Sequence, residues 1–227
     1  MLAGASEGPV VIFDCNGVLV DSEPIASVVL ASAFSRVGIT LAPEMVARQF
    51  HGRRTADIFA AVEKQAKRSL PPNFAATVAA ETLQRFRAEL QPIPHAAHAL
   101  TWIRGPKAVA SSSAMDRIRT SLEVTGLLRF FESRLFSASH VADGKPAPDL
   151  FLAAAAKLEA DPADCIVVED SVAGITAAKA AGMTPIGFIG SPHAGGRMVP
   201  ELIAAGARTV IADMRALTST IIELRGW

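Results

Sequence analysis

The sequence predicts a doubly wound α/β fold with a mostly parallel, Rossmann-like sheet. Short apolar runs, most of them rich in Val and Ile, alternate with alanine-rich helical patterns, and each run is bounded by turn or polar residues. Such runs are typical of buried parallel strands, and their alternation with helices favours the doubly wound class. The predicted strands lie at residues 10–13, 107–110, 165–168, 184–189 and 209–212.

Three helices between these strands are predicted from their ends as well as from their spacing. Gly126 stops the first helix, Pro148 precedes the second, and Gly182 is placed to cap the third at its carboxyl end. Glycine just past a helix and proline at its start are the usual positions of these residues. The predicted helices cover residues 114–125, 149–159 and 171–181.

The stretch from residue 22 to residue 92 differs from the rest of the chain. It shows helix-like spacing without a convincing strand, and several prolines interrupt it. Pro92-Ile-Pro94 favours a rigid, extended linker at its end. We therefore expect a helical insert after the first strand. The expected division is core residues 1–21, insert residues 22–92 and core residues 93–227.

Composition and charge exclude several classes of protein. In 227 residues, 22 basic side chains balance 22 acidic ones, so no global field favours nucleic acid or an anionic membrane. The apolar stretches stop well short of the ~20 residues that a membrane helix needs, and the amino terminus lacks a signal-peptide pattern. Two cysteines, Cys15 and Cys165, form no framework of the secreted kind. We expect a cytoplasmic protein that binds neither nucleic acid nor membrane, and the sequence leaves its oligomeric state open.

Polar residues that can do chemistry follow the predicted strands. Asp14 follows the first strand, Ser111 the second and Glu169-Asp170 the third, while Lys145 precedes a helix. Ligands of open α/β sheets bind beyond the carboxyl ends of the strands, so these side chains should converge. Several carboxylates in one site need a neutralising cation, and oxygen ligands suit Mg²⁺. Together with a lysine and a hydroxyl for phosphate oxygens, they predict phosphoryl transfer with a carboxylate nucleophile.

The same residues lie in four segments that resemble the motifs of the haloacid dehalogenase superfamily, closest to its phosphatase and β-phosphoglucomutase-like branch. Their order, spacing and strand context agree with that family over most of the chain. One Asp-x-x-Gly would be weak support, whereas four motifs in order are specific. The segments are Phe-Asp14-x-x-Gly17-Val-Leu-Val-Asp21-Ser-Glu, Ala-Ser111-Ser-Ser, Lys145-Pro-Ala-Pro-Asp and Glu169-Asp170-Ser-x-x-Gly174.

The resemblance implies a role for each of these side chains. Asp14 would be the nucleophile and a Mg²⁺ ligand, Asp170 a second ligand, and Glu169 a support for the metal or its waters. Ser111 would hold the transferring phosphoryl group, and Lys145 would pair with the phosphate and with Asp14. The helical insert would be the family's cap, which closes over the substrate and excludes water. The implied substrate contacts are Ser112 and, in the cap, His51, Gly52, Arg53 and Arg54.

Asn16 departs from the family pattern. Family phosphatases usually carry an acid at this position, which protonates the leaving alkoxide and later deprotonates the attacking water. An amide keeps the shape and the backbone carbonyl that the family offers to Mg²⁺, but it cannot shuttle a proton near neutral pH. Loss of this catalysis would lower the rate about 10²–10⁴-fold. The change is either natural or engineered, and the sequence does not distinguish the two.

The sequence therefore predicts a Mg²⁺-dependent phosphomonoester hydrolase for a small phosphorylated metabolite, a sugar phosphate in the first instance, with an aspartyl-phosphate on Asp14. A phosphosugar mutase is an alternative, although Ser22-Glu-Pro-Ile-Ala26 lacks the histidine that β-phosphoglucomutase-like sequences carry there. A phosphate-ligand sensor without turnover is a second alternative, because Asn16 would remove proton transfer and leave binding intact.

Several residues also have structural explanations. Asn16-Gly17 is a strong hairpin pattern, Lys145 alone would be a solvated lysine, and Ser113 or the Glu169-Asp170 pair could cap a helix. Arg53 and Arg54 are equally compatible with solvated charges. Cys15 is expected to be a buried, inert thiol. Four histidines lack the spacing of a metal cluster and are assigned to surface or linker positions: His95, His98, His140 and His193.

Overall fold

The computed structural model describes residues 8–50, 52–191 and 198–226. These residues form a six-stranded parallel sheet with the order β3-β2-β1-β4-β5-β6. This is the strand order of a Rossmann-like core, and it confirms the predicted fold class. The strands are β1 (Val10–Phe13), β2 (Lys107–Ser111), β3 (Leu135–Ser137), β4 (Cys165–Glu169), β5 (Thr184–Phe188) and β6 (Thr209–Ile211).

Strand β1 lies at the centre of the sheet, and this position explains why its sequence is apolar throughout. Val11 and Phe13 pack in one apolar layer, and Val10 and Ile12 pack in the other. A strand buried on both faces needs an uninterrupted apolar run, which the sequence supplies. Because β2 and β4 flank β1, the direction in which strands are added reverses at β1. Ligands of open α/β folds bind at such a reversal.

The predicted strand ends need small corrections, and one strand is missing from the prediction. Strands β2 and β4 run one residue further than expected and include Ser111 and Glu169. Strands β5 and β6 end one residue earlier than expected. Strand β3 has only 3 residues at the edge of the sheet, which is too short to produce a recognisable apolar run.

Helices cover the sheet between its strands, close to their predicted positions. Gly182 has a φ of +77°, and the N–H of Met183 reaches the carbonyl of Ala178 at 3.0 Å, so the predicted glycine cap is confirmed. No helix in the described part of the chain is long and apolar enough to cross a membrane. These helices are α6 (Met115–Val124), α7 (Asp149–Lys157), α8 (Val172–Ala180), α9 (Val199–Ala205) and α10 (Leu217–Arg225).

The chain between β1 and β2 is helical, as its spacing predicts. Four of its helices share a separate apolar core, in which Phe34 stacks on Phe74 with ring centroids 5.3 Å apart and Phe59 meets both rings edge-on. A fifth helix leads back to the sheet. The helices are α1 (Glu23–Arg36), α2 (Pro43–Phe50), α3 (Thr55–Ala66), α4 (Phe74–Glu89) and α5 (Ala96–Trp102).

Two antiparallel segments connect these helices to the sheet. The N–H of Asp21 donates to the carbonyl of Gln91 at 3.0 Å, and the N–H of Ile93 donates to the carbonyl of Leu19 at 2.9 Å. The outgoing and returning segments are therefore held together by backbone hydrogen bonds. This pairing places helix α1 and the helices that follow it over the carboxyl end of β1.

Candidate active site

A cavity of about 90 Å³ lies at the carboxyl ends of β1, β2 and β4, between the sheet and the helices that follow β1. Its walls combine strand-end side chains with side chains from those helices. The strand side contributes Asp14, Asn16, Ser112, Ser113, Lys145, Glu169, Asp170 and Ser171, and the residues around and beyond it include Ser22, Glu23, Ala26, Gly52, Arg53, Thr55 and Arg117.

Lys145 joins two carboxylates at the base of the cavity. Its Nζ lies 2.6 Å from Oδ1 of Asp14 and 2.5 Å from Oε1 of Glu169, and it also donates to the carbonyl of Ala110 at 3.0 Å. The Lys145 side chain is 1% exposed, so its assignment as a solvated lysine is wrong. A buried ammonium group with three oxygen partners is held in one position.

The same contacts set the protonation of this cluster. Burial raises the pKa of Asp14 to about 6, against the opposing effect of the Lys145 charge. Burial by itself would lower the pKa of Lys145, but the charges of Asp14 and Glu169 outweigh it and raise that pKa. Lys145 therefore stays charged. For Asp14, the attraction of Lys145 only partly offsets the cost of burying a charged carboxylate.

Glu169 and Ser171 connect this cluster to helix α8. Oε2 of Glu169 accepts hydrogen bonds from the N–H and the hydroxyl of Ser171, at 3.0 and 2.9 Å. The Ser171 hydroxyl in turn accepts from the N–H of Gly174 at 3.0 Å, at the start of the helix. The helix cap is thus Ser171, and a capping role for the Glu169-Asp170 pair is wrong. A Cβ on Gly174 would overlap the Glu169 carboxylate, which explains the glycine in this motif.

The turn after β1 brings its backbone against Asp170. Gly17 has a φ of +71°, and a Cβ at that position would overlap the Asp170 carboxylate. The turn closes through a hydrogen bond from the N–H of Gly17 to the carbonyl of Val20 at 2.9 Å, and the chain then enters helix α1. The hairpin alternative for Asn16-Gly17 is therefore wrong, although the glycine is required by the turn.

The amide of Asn16 is held by hydroxyl groups from two sides. Its Oδ1 accepts from the Ser22 hydroxyl at 2.8 Å, and its Nδ2 donates to the hydroxyls of Ser113 at 3.0 Å and Ser111 at 3.5 Å. An acid at this position would find the same hydroxyls, because each of them can donate as well as accept. The side chain is thus fixed between the turn after β1 and the end of β2.

The three consecutive serines that begin with the last residue of β2 have different positions. Ser111 is fully buried, and its hydroxyl accepts from the N–H of Ser113 at 3.3 Å. Among the described residues that line the cavity are Ser112 and Ser113 but not Ser111. Ala114 occupies the cap position of helix α6, without a side-chain hydrogen bond, so a capping role for Ser113 is wrong.

The predicted substrate contacts of the helical insert are only partly brought to the cavity. Gly52 and Arg53 line it, and Gly52 lies so close to Ser171 that a Cβ would clash there. Arg54 instead packs against Gly144, next to Lys145, and lies outside the lining. The fourth predicted contact, His51, is outside the described residues.

Sequence reasoning missed several lining residues from helices. Arg117 on α6 is the most polar of them, and it lies one helical turn beyond Ser113. Its guanidinium carbon stands 4.9 Å from the ring centre of Phe86, on helix α4. The i to i+4 spacing from Ser113 could have identified it. Ser22 and Glu23 belong to the first motif, but the sequence predicts no role for them, although they follow the Gly17 turn closely in sequence.

Cysteine and histidine residues take no part in the cavity lining that the structure describes. Cys15 is 1% exposed and packs in the main apolar core, and burial raises the pKa of its thiol far above the ordinary value. The expectation of an inert thiol is thus supported by its surroundings. No group of three His, Cys, Asp or Glu residues within the described ranges is arranged as a metal cluster, and His193 lies outside those ranges.

Comparison with known proteins agrees with this geometry. Residues 9–182 match the family model of haloacid dehalogenase-like hydrolases. The 6-phosphogluconate phosphatase of Escherichia coli is 35% identical over 184 residues, which cover 81% of this chain and 83% of that protein. The fructose-1-phosphate phosphatase YqaB of the same organism is 30% identical, over 77% of this chain and 93% of the relative.

A solved structure extends the match to nearly the whole chain. The crystal structure of a haloacid dehalogenase-like protein of unknown function from Agrobacterium tumefaciens has a TM-score of 0.81 and 34% identity, and the match covers 96% of this chain and 99% of that one. The sheet order, the strand-end motifs and these relatives lead to one conclusion: the chain belongs to the haloacid dehalogenase-like hydrolase family, in which the two Escherichia coli relatives are named as phosphatases.

Proposed function

We propose that this chain is a Mg²⁺-dependent phosphomonoester hydrolase that acts on small sugar phosphates through an aspartyl-phosphate on Asp14. The observation that carries the proposal is the buried contact of Lys145 with Asp14 and Glu169, in a cavity that also receives Asp170 and the serines after β2. A carboxylate held in this way, next to hydroxyl donors, suits attack on phosphorus.

The charges of the site support Mg²⁺ as the metal. Asp14, Glu169 and Asp170 are all buried, and Lys145 supplies one positive charge to Asp14 and Glu169. Carboxylates gathered in one buried site favour the binding of a further cation. The side chains of Asp14 and Asp170 with the backbone carbonyl of Asn16 would hold Mg²⁺, which keeps several waters. When bound, the metal would withdraw charge from the phosphoryl oxygens.

The chemistry then divides into two displacements. A carboxylate oxygen of Asp14 attacks phosphorus, the bond from phosphorus to the sugar oxygen breaks, and an alkoxide leaves. A water molecule then attacks the phosphorus of the aspartyl-phosphate and releases inorganic phosphate, which restores Asp14. Lys145 fixes the orientation of the Asp14 carboxylate in both steps, and the serines after β2 donate hydrogen bonds to the phosphoryl group.

Both displacements need a proton transfer that Asn16 cannot supply. The leaving alkoxide must gain a proton, and the attacking water must lose one. Asn16 is held by Ser22 and Ser113 at the position from which an acid would do this. We therefore propose that substrate binding is intact and that turnover is impaired by about 10²–10⁴-fold.

The helical insert, residues 22–92, is proposed as a cap over the site. Gly52 and Arg53 line the cavity opposite the strand ends, and Gly52 packs against Ser171. This contact would exclude water from the reacting groups. A cavity of about 90 Å³ is small beside the roughly 300–1,000 Å³ of a drug-sized pocket, so the proposed substrates are small.

Hydrolysis is favoured over phosphoryl shuttling by the segment Ser22-Glu-Pro-Ile-Ala26. This segment contributes Ser22, Glu23 and Ala26 to the cavity lining, and it lacks the histidine that β-phosphoglucomutase-like sequences carry there. The relatives described above are named as phosphatases of two phosphorylated carbohydrates, which supports the same reaction and a sugar-phosphate substrate.

The variant Asn16→Asp tests the proposal. Mg²⁺-dependent release of phosphate from a sugar-phosphate panel should rise about 10²–10⁴-fold over the native chain, and excess chelator should abolish it. Asp14→Asn in the Asn16→Asp background is the matched control and should release no phosphate. Intact mass measurements should detect an adduct of one phosphoryl group on Asp14 in the native chain.

Two results would contradict it. If Asn16→Asp releases phosphate no faster than the native chain, position 16 is not the acid–base position. Tight, reversible binding of sugar phosphates without an adduct or release in either chain would instead indicate a phosphate-ligand sensor. Peptide mapping must show unaltered Asn16 in the native sample, because an Asn-Gly sequence can deamidate to the acid.

A further inference from the structure

Arg117 marks a second polar end of the cavity, away from the strand-end carboxylates. It lies near the start of helix α6, and its guanidinium is placed over the ring of Phe86 on helix α4. Phe86 is fully buried. The Arg117 side chain therefore extends toward the helical insert and not toward the bottom of the sheet.

This end of the cavity opens onto a second, mostly apolar space. A cavity of about 210 Å³ lies between helices α1, α3, α4 and α6, and Arg117 lines both spaces. The two cavities also share Ala26, Leu30 and Thr55. The guanidinium is thus the charged group at the boundary between the catalytic cavity and an apolar one.

One hydrogen-bond donor of Arg117 is left without a partner in the described part of the chain. Its Nε is buried and has no hydrogen-bond partner among the described residues, and burial lowers the pKa of the guanidinium. Buried polar groups are normally paired, and an unpaired one costs free energy. The stacking on Phe86 engages the flat face of the guanidinium but does not pair the Nε–H group.

The donor that Arg117 leaves unpaired favours an acceptor on the ligand at this position. Lys145 is already paired with Asp14 and Glu169, whereas the buried Nε of Arg117 has no hydrogen-bond partner among the described residues. The carboxylates of Glu23, Asp14 and Asp116 act on the charge of Arg117, but none of them pairs with this Nε. A negative group on the ligand, in addition to the phosphate, would accept a hydrogen bond from it.

We propose that Arg117 binds a carboxylate of the substrate, so that phosphorylated sugar acids are preferred over neutral sugar phosphates. This rests on the proposed function, since it assigns the substrate class of the same site. A guanidinium offers two parallel N–H groups to the two oxygens of a carboxylate. In a cavity of about 90 Å³, a planar carboxylate fits more readily than a second phosphate.

Matched ligand pairs test the proposal without any substitution. Gluconate 6-phosphate and glucitol 6-phosphate differ only by a carboxylate in place of a hydroxymethyl group, and 3-phosphoglycerate and glycerol 3-phosphate differ in the same way at shorter length. Calorimetry with the native chain and Mg²⁺ should give at least tenfold tighter binding for the acid of one pair. The pair in which the acid binds more tightly indicates the distance between the phosphate site and Arg117.

Substitutions on helix α6 then assign the preference to one side chain. Arg117→Gln should weaken binding of the preferred acid about 10- to 100-fold, since a charged hydrogen bond is lost, and should change the neutral partner less than threefold. Arg117→Lys should retain part of the preference. Arg119→Gln, an exposed position on the same helix, should change neither ligand. The Asn16→Asp background should show the same pattern in kcat/KM.

The outcomes separate this proposal from the one on which it rests. No preference within either pair, tighter binding of a bisphosphate than of the acid, or equal weakening of acid and neutral ligand in Arg117→Gln would overturn the carboxylate assignment alone. Failure of the native chain to bind any of the four ligands, together with no phosphate release by Asn16→Asp, would overturn the proposed function and this proposal together.

Discussion

Two cations line the same cavity, and their surroundings differ. Lys145 has three oxygen partners within 3.0 Å, whereas Arg117 stacks on Phe86 and its buried Nε has no partner in the described structure. The first cation is part of the folded protein's own charge balance. The second is left with an N–H donor for a ligand. A place in the cavity lining thus does not distinguish a structural charge from a binding charge; the hydrogen-bond partners do.

Neutralising the two cations in turn gives the largest predicted contrast. Lys145→Gln leaves Asp14 and Glu169 buried without their counter-charge and should lower the free energy of unfolding by about 3–5 kcal/mol. Arg117→Gln removes a cation whose buried Nε has no partner among the described residues, and it should change the free energy of unfolding by no more than about 1 kcal/mol, the scale of the contact with Phe86. Urea unfolding without Mg²⁺, followed by two probes whose transitions coincide, measures both.

Metal and surface controls sharpen this contrast. Mg²⁺ should restore part of the stability of Lys145→Gln, because a bound cation replaces the lost counter-charge. Arg85→Ala removes an exposed cation whose ion pair with Glu89 lies on the surface and should have little effect. Equal losses of stability in Lys145→Gln and Arg117→Gln would contradict the distinction between the two sites.

The second prediction concerns the glycine that lets the backbone approach Asp170. Gly17 and Gly126 have nearly the same positive φ, +71° and +70°, so alanine should introduce roughly 1–2 kcal/mol of backbone strain at either position. A Cβ at Gly17 would also overlap the Asp170 carboxylate, while a Cβ at Gly126 would meet nothing within 4 Å. Gly17→Ala should therefore be about 1–3 kcal/mol less stable than Gly126→Ala.

The Mg²⁺ response separates strain from displacement of the proposed ligand. Gly126→Ala should keep the native increase in thermal stability on Mg²⁺ addition, and Gly17→Ala should lose most of it, because Asp170 must move. Differential scanning measurements with and without Mg²⁺ test this. If both variants respond to Mg²⁺ like the native chain, Asp170 does not hold the metal.

The sequence predicted the site best for side chains that lie at the carboxyl ends of strands. Asp14 and Glu169 meet as expected because parallel strands end at one edge of the sheet, and that rule needs no knowledge of loops. Lys145 reaches both carboxylates from the turn before helix α7. The prediction was weaker one or two residues beyond the strands. Ser111 is buried behind the cavity while Ser112 lines it, since the conformation after β2 decides which hydroxyl faces inward.

Contacts between distant elements could not be predicted in this way. Nothing in the sequence of helix α6 indicates that Arg117 will lie over Phe86 of α4. Arg54, a predicted substrate contact, lies against Gly144 and outside the cavity lining. Both outcomes depend on how the helical insert packs over the sheet. Strand β3, with its 3 residues, was missed for a related reason, because its pairing with β2 and not its own sequence makes it a strand.

The smallest predicted effect is on the reactivity of a thiol that lies between two site residues. Cys15 is buried beneath the cavity, and burial, with the nearby charge of Asp14, raises the pKa of its thiol. Labelling by a disulfide reagent at pH 8 should therefore be slow in the native chain and limited by opening of the structure. Peptide mapping identifies the labelled residue and gives its rate.

Comparison with the second thiol shows where the structure opens. Cys165 lies at the start of β4, away from the strand end that carries Glu169. It is also buried, and burial raises the pKa of its thiol to about 11. Lys145→Gln should accelerate labelling of Cys15 more than that of Cys165, because repulsion between Asp14 and Glu169 opens the strand ends first. Arg117→Gln should leave both rates unchanged. Acceleration of both thiols by the same factor in Lys145→Gln would instead indicate global unfolding, and the charge of Lys145 would then support the whole fold and not the site alone.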